Sequence, residues 1–257
     1  MKPPRLDPWS ALRRLTPARI AQGRTGASLP TDAWLEFGLA HAAARDAVHV
    51  VLEVETLRAE LGTLGHFCVS VKSAAHDRAE YLRRPDLGRR LDAESVARLK
   101  QRSAPPTPSG IVWVIADGLS ARAAQTHALP VLRAAQTRLG ANETGAIVVA
   151  TQARVALGDE IGALLSAQFV VVMIGERPGM SSPDSLGIYL THTPRVGRSD
   201  AERNCISNIR PEGLSYEEAA ATLVRLLGGA RRLGRTGVDL KDSGPEGVVG
   251  PGPVRLT

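Results

Sequence analysis

Ile111-Val112-Trp113-Val114-Ile115-Ala116, followed at once by Asp117-Gly118-Leu119-Ser120, is the stretch on which the fold turns. Six apolar residues without polar alternation, bounded by a turn signal, are what a strand buried on both faces of a parallel sheet requires. Three comparable runs share the chain: Phe67-Cys68-Val69-Ser70-Val71, Ala-Ile-Val-Val-Ala at 146–150, and Phe169-Val170-Val171-Val172-Met173-Ile174. Between them, 120–139 and 158–166 carry helical periodicity and serve as crossovers. Strands alternating with helices predict an α/β domain with a Rossmann-like, doubly wound, mostly parallel sheet, whose ligands gather at the carboxyl ends of the strands.

Toward the N-terminus the pattern is helical. Asp7-Pro8 and Thr16-Pro17 each pair an N-cap with proline at the first helical position, Gly23 ends the second of these pieces, and Thr31 can cap a longer helix to about Val48. In that longer helix Leu35, Leu39, Ala42 and Ala43 recur at helical spacing. Val54, Leu57, Leu61 and Leu64 give another helix, stopped by Gly65. Residues 78–102 hold helical stretches around Pro85, and 104–110 read as a loop. Near the other end Ser215, with Glu218 three residues on, starts a helix whose buried face is Ala219, Leu223, Leu226 and Leu227. The expected organisation is a small helical N-terminal domain, 1–65, an α/β domain, 66–242, and a disordered Gly/Pro-rich tail, 243–257.

Composition narrows the function classes. The 257 residues are 43% hydrophobic and 23% charged, as in ordinary globular proteins. No apolar run approaches the roughly 18 residues of a membrane span, and the opening MKPPRLDPW lacks a signal peptide's apolar segment. Cys68 and Cys205 belong to no CxxC motif and suit a reducing cytosol better than a disulfide framework. The net charge of +6 is concentrated in residues 1–104, and of 32 basic residues only Lys2, Lys72, Lys100 and Lys241 are lysines. Arginine offers permanently charged, bidentate donors for carboxylate or phosphate. With aromatics at 4% and no basic run flanked by stacking residues, nucleic-acid binding is not expected.

Three segments can carry chemistry. Asp117-Gly118-Leu119-Ser120 joins a strand to a helix; either its carboxylate faces a ligand, or Ser120 simply caps the helix with Gly118 making the turn. Gly175-Glu176-Arg177-Pro178-Gly179 and Ser181-Ser182-Pro183-Asp184-Ser185 form a polar loop after a buried strand; either a ligand holds it, or Arg177 pairs with Glu176 or Asp184. The segment from Asp200 to Pro211 is dense in donors and acceptors around Cys205, although a lone cysteine is commonly a small packing residue. The phosphate loop GxxxxGK[ST], the dinucleotide fingerprint and HExxH are all missing, and the six histidines show no metal-ligand spacing. From these residues alone, a stand-alone nucleotide-binding enzyme with Asp117 and Glu176 as acid and base, and an adaptor docking through its N-terminus, both stay open.

The runs DPWSALRRLTPARIAQGRTGASLPT, LAHAAARDAVH, YLRRPDLGRRLD, VIADGLSARA, RVALGDEIGALL and VVMIGERPGMSSPDSLGIYLTHTPRVGRSDAERNCISNIRPEGLSYEEAA follow in order from about Asp7 to Asp242. Together they closely resemble the small (light) subunit of ethanolamine ammonia-lyase. The resemblance implies an adenosylcobalamin-dependent radical enzyme that converts ethanolamine to acetaldehyde and ammonia, with the substrate site in a TIM-barrel large subunit. The small chain would close over cobalamin at the subunit interface, in an assembly of six large and six small chains, and would be inactive alone. The family's cobalamin contacts fall on Val155, Glu176 and Cys205; no catalytic residue and no protein ligand to metal is implied in this chain. The motif DxHxxG, which supplies a histidine in place of the cofactor's lower base, is absent, consistent with a family that keeps that base attached. Some relatives carry a longer N-terminal extension associated with delivery into a bacterial microcompartment. Here the family pattern begins almost at once, and the expected location is cytoplasmic, with the microcompartment as the family's alternative.

Overall fold

The computed structural model describes residues 9–64, 68–101, 110–139, 146–242 and Gly244. Six strands form one sheet: β1 (Cys68–Lys72), β2 (Ile111–Ala116), β3 (Ala146–Thr151), β4 (Phe169–Gly175), β5 (Leu186–His192) and β6 (Asn204–Ile209), in the order β1-β3-β2-β4-β5-β6. The first four in that order are mutually parallel. β4–β5 and β5–β6 are antiparallel. The chain is thus α/β, as expected, with a mixed sheet: three of the five strand pairings are parallel and two antiparallel, the latter not foreseen. The two unforeseen strands explain the difference. β6 is an edge strand in which only Ile206 and Ile209 are buried, so it lacks the continuous apolar signature of its neighbours. β5 carries Gly187, Thr191 and His192 among its apolar residues.

Successive side chains of a strand point to opposite faces, and here both faces of the parallel portion are covered. Trp113 and Ile115 of β2, Val149 of β3 and Val171 of β4 pack under α2 (Val54–Thr63), α5 (Ala121–Leu139) and α7 (Tyr216–Leu233). Their neighbours Val112, Val114, Val148 and Val172 pack against α4 (Ala93–Gln101) and α6 (Leu157–Leu164). All six residues of β2 are buried, which is why it reads as an unbroken apolar run. Helix α6 lies so close to the sheet that a Cβ on Gly158 would sit 2.4 Å from Val172 Cγ2.

The helix ends follow local chemistry. At α7 the expected capping box is present: the Glu218 amide donates to Ser215 Oγ, and the Ser215 amide and hydroxyl donate to Glu218 Oε2; Gly234, at φ +71°, ends the helix. α3 (Arg78–Arg83) is capped by Asp77, whose carboxylate accepts from the Glu80 amide. α1 (Thr31–His49) departs from expectation: Pro30 is its N-cap and Thr31 its first helical residue. The short helix expected between Thr16 and Gly23 is absent; Ala21 and Gly23 have φ of +50° and +77°, which no right-handed helix accommodates. Ser10–Leu15 forms a 3-10 helix. Only Ala33 and Ala47 of α1 are buried, and Leu35 and Leu39 are 65% and 74% exposed, so among the described residues the apolar stripe of α1 is not covered by the core. Asp7-Pro8, Gly65, Phe67, the loop at 104–109 and the tail at 243 and 245–257 lie outside the described residues. Among the described residues no helix is long and apolar enough to cross a membrane, and no group of His, Cys, Asp or Glu could hold a metal.

A buried ion pair locks the antiparallel extension to α6. Arg203 donates to both oxygens of Asp159, Nη1 at 2.6 Å and Nη2 at 2.7 Å, with side chains 1% and 2% exposed. Thr191 Oγ1 and the Arg198 carbonyl accept further hydrogen bonds from Arg203, so the buried guanidinium is well satisfied. Removing one partner strands the other charge. Arg203→Met is expected to lower unfolding stability by about 3–5 kcal/mol in urea denaturation. A loss no larger than that of an exposed arginine would show the pair to be inconsequential. A pH effect on stability comes from His127, whose Nδ1 lies 2.8 Å from Tyr216 Oη and whose burial holds its pKa below 6.5. The neutral form is the folded one, so its contribution is fully present above about pH 6.5 and lost as pH falls through the depressed value. The unfolding midpoint of the native chain is expected to drop in that window more than that of His127→Gln.

Candidate functional site

The carboxyl ends of β1, β3, β2 and β4 meet on one edge of the sheet, since parallel strands in this register finish together. Two glycines let the exits of β2 and β4 touch. Gly118 has φ +54°, and a Cβ there would lie 2.2 Å from the Gly175 carbonyl oxygen; a Cβ on Gly175 would lie 1.9 Å from that of Ser120. The Leu119 amide donates to the Gly175 carbonyl at 3.0 Å, tying the two exits. Above this junction lies a cleft of about 360 Å³, lined by Tyr81, Gly118, Leu119, Arg154, Val155, Ile174 and Glu176 among others, with Arg177 and Tyr189 at its remaining wall.

Asp117 does not face that cleft. Its two carboxylate oxygens accept the amides of Gln152 at 2.7 Å and Ala153 at 3.0 Å, and Oδ2 lies 3.4 Å from Arg78 Nη1. Burial pushes its pKa up against the pull of those amides and of Arg78. The residue is therefore a fastening for the β3 exit. Ser120 behaves as a helix cap: its Oγ accepts from the Ala123 amide and donates to the Pro183 carbonyl. An acid–base pair of Asp117 and Glu176 is not assembled.

Glu176 is half-buried, and its Oε2 accepts the Ser185 hydroxyl at 2.6 Å and the Asn208 amide at 3.2 Å. Among the described residues, Oε1 receives no hydrogen bond. The ion pair of Arg177 with Glu176 or Asp184 is likewise not formed among them. The loop after β4 is held instead by backbone bonds, Glu176 to Ser185 and Gly179 to Ser182, and by Arg19 donating to the Met180 carbonyl. Val155 and Glu176 thus share one cleft. Cys205 does not line the cleft: it is exposed on β6, directly opposite Tyr189 of the cleft wall in the β5–β6 register. Desolvation raises the Cys205 thiol pKa, which keeps it protonated and a poor nucleophile.

Sequence reading passed over Tyr81, Arg154 and Tyr189 in this cleft. Tyr81 is fully buried, donates its hydroxyl to the Ala153 carbonyl at 3.0 Å, and is flanked by the guanidinium groups of Arg78 at 4.8 Å and Arg154 at 4.4 Å. Its only sequence signal was its place in the run YLRRPDLGRRLD. The arginine–tyrosine stack depends on Gly88, where a Cβ would come 2.9 Å from both Arg154 Cγ and Tyr81 Cε2.

The described residues combine a mixed α/β sheet with a shallow strand-end cleft walled by small, apolar and cationic side chains. The chain's sequence matches the family described as ethanolamine ammonia-lyase light chain (EutC) over residues 6–241. It is 52% identical to the ethanolamine ammonia-lyase small subunit of Pseudomonas putida (strain GB-1), over 92% of this chain and 88% of that one. The proteins of the same name from Azotobacter vinelandii and Ralstonia nicotianae are 54% and 52% identical, over 92% of this chain and 88% and 89% of theirs. The chain belongs to the ethanolamine ammonia-lyase small-subunit family.

The two carboxylates of the strand-end edge should separate by phenotype. Asp117→Asn presents an NH2 to one of the two amides it serves and removes the charge opposite Arg78, at a cost of about 1–3 kcal/mol in unfolding stability. Glu176→Gln, half-buried and with Oε1 free, is expected to unfold within about 1 kcal/mol of the native chain. Denaturant midpoints check both; equal losses would mean that Glu176 is as structural as Asp117.

Proposed function

We propose that this chain is the small subunit of an adenosylcobalamin-dependent ethanolamine ammonia-lyase, which converts ethanolamine to acetaldehyde and ammonia by a radical mechanism. The reacting groups belong to the large subunit, and this chain helps hold cobalamin at the interface between them, in an assembly of six large and six small chains. The observation that carries the reading is the sharing of one strand-end cleft by Val155 and Glu176, with Cys205 paired to the cleft residue Tyr189 in the β5–β6 register. A cleft of about 360 Å³ is near the lower limit for a drug-sized ligand and too small to enclose a corrin with its axial groups. It suits one wall of a cofactor shared between subunits.

The residues present fit that role. Glu176 Oε1 is positioned by the bonds at Oε2 and is free to accept from the amide side chains that rim a corrin. Val155, Leu119 and Ile174 offer apolar contact and exclude water from the same edge. Cys205, small and protonated, allows close approach beside Tyr189. When bound, the cofactor supplies a carbon radical by homolysis of its cobalt–carbon bond. This chain's residues contribute binding and orientation, and none of them holds or moves a proton in the reaction.

Co-expression with a large subunit, purification of the complex and assay of acetaldehyde release tests the proposal. Activity is expected only when both chains and adenosylcobalamin are present. Glu176→Ala is expected to weaken cobalamin binding by the complex about tenfold, the usual scale of a lost hydrogen bond to a charged acceptor. Turnover by this chain alone, or a complex that binds no cobalamin, would overturn the reading.

A further inference from the structure

We propose that Arg154 and Arg177 form a recognition site for a phosphodiester at the rim of the strand-end cleft, the group they take being the nucleotide-tail phosphate of the bound corrinoid. The inference rests on the cobalamin reading and extends it to two residues and one chemical group.

Three observations carry it. The cleft lining contains two guanidinium groups and one carboxylate, so it is cationic overall. That carboxylate, Glu176, has one of its two oxygens engaged by Ser185 and the Asn208 amide, and neither arginine has an ion-pair partner among the described residues. Arg154 Nε is also buried without a hydrogen-bond partner, an orphaned donor on a side chain that lines the cleft. Unsatisfied buried donors are costly and call for an acceptor.

The Arg154 guanidinium lies over the Tyr81 ring at 4.4 Å, a contact that restricts the freedom of the side chain. The Arg154 amide is itself held by the Gly88 carbonyl at 2.8 Å, so the backbone that carries the side chain is anchored on both sides of the β3 exit. A planar, preorganised fork of donors is matched by two oxygens in a plane, as a phosphodiester or carboxylate presents. Burial of the Tyr81 hydroxyl raises its pKa and keeps the ring neutral, so it adds no negative charge to oppose an anion. Among the parts of a cobalamin, only the nucleotide tail carries a permanent anion; the corrin rim carries neutral amides. Exposed Arg177 supplies the second cation from the loop after β4.

The test compares two corrinoids on the complex with the large subunit: adenosylcobalamin, and adenosylcobinamide, which keeps the corrin and adenosyl group but lacks the nucleotide tail and its phosphodiester. Binding is read by absorbance titration, so no turnover is needed. Arg154→Gln is expected to weaken adenosylcobalamin binding by about tenfold to a hundredfold, and Arg177→Gln, more exposed, by about threefold to tenfold. Both variants should bind adenosylcobinamide within about twofold of the native complex, which also verifies their folding. Raising ionic strength should weaken adenosylcobalamin binding by the native complex and have less effect on the variants. Equal losses for the two corrinoids, or no loss for either, would overturn the phosphodiester site while leaving the cobalamin reading intact. Failure of the native complex to bind both corrinoids would overturn the cobalamin reading and this inference with it.

Discussion

One buried carboxylate organises the edge of the sheet where the cleft lies. Asp117 leaves β2 and accepts two amides from the β3 exit, the first of them from Gln152, which stands at φ +54°. A left-handed backbone is unfavourable for a residue with a side chain and persists where surrounding bonds determine it. The same carboxylate faces Arg78, which donates to the Gly118 carbonyl and, through Nε, to the Val48 carbonyl at the end of α1. Two strand exits, one helix and the N-terminal segment thus converge on a group that no ligand needs to touch.

The cleft is shaped as much by what is missing as by what is present. Gly118 and Gly175 allow two exits to come within backbone contact, and Gly88 makes room for the Arg154–Tyr81 stack. Side chains at those positions would fill the space or drive the exits apart. Around that frame the polar atoms are directed by bonds outside the cleft: Ser185 and Asn208 orient Glu176, and the Ala153 carbonyl orients Tyr81. Preorganisation of this kind lowers the entropy lost when a partner is bound.

The parallel half of the fold was legible because burial on both faces leaves an unmistakable mark: β2 and β4 are apolar throughout, and the structure buries every residue of each. The antiparallel half was not. Cys205 and Ser207 face outward on β6, and their polar, loop-like composition records one-sided burial at an edge. Val155, Glu176 and Cys205 were singled out through a family resemblance, and strand-end geometry independently pointed to the Glu176 loop. Tyr81 and Arg154 escaped notice because their meeting depends on packing between α3 and the β3 exit, a contact across 72 residues that no local spacing encodes. α1 shows the opposite failure: its helical spacing was real, yet spacing cannot say whether the stripe is buried, and Leu35 and Leu39 are exposed.

The strand order also sets how the chain must assemble in time. β4, β5 and β6 are joined by successive antiparallel turns and pair with near neighbours in sequence. β1 reaches its partner only when Cys68 comes opposite Ile147, closing a loop that contains α3, α4, β2 and α5. Long closures are entropically slow, so the hairpin side of the sheet is expected to form ahead of the β1 side. The cleft straddles that seam, taking Ile174, Glu176 and Tyr189 from the early half and Tyr81 and Arg154 from the late one. A binding surface composed in this way comes into existence only with the completed fold, and a partly folded chain offers a ligand no more than half of it.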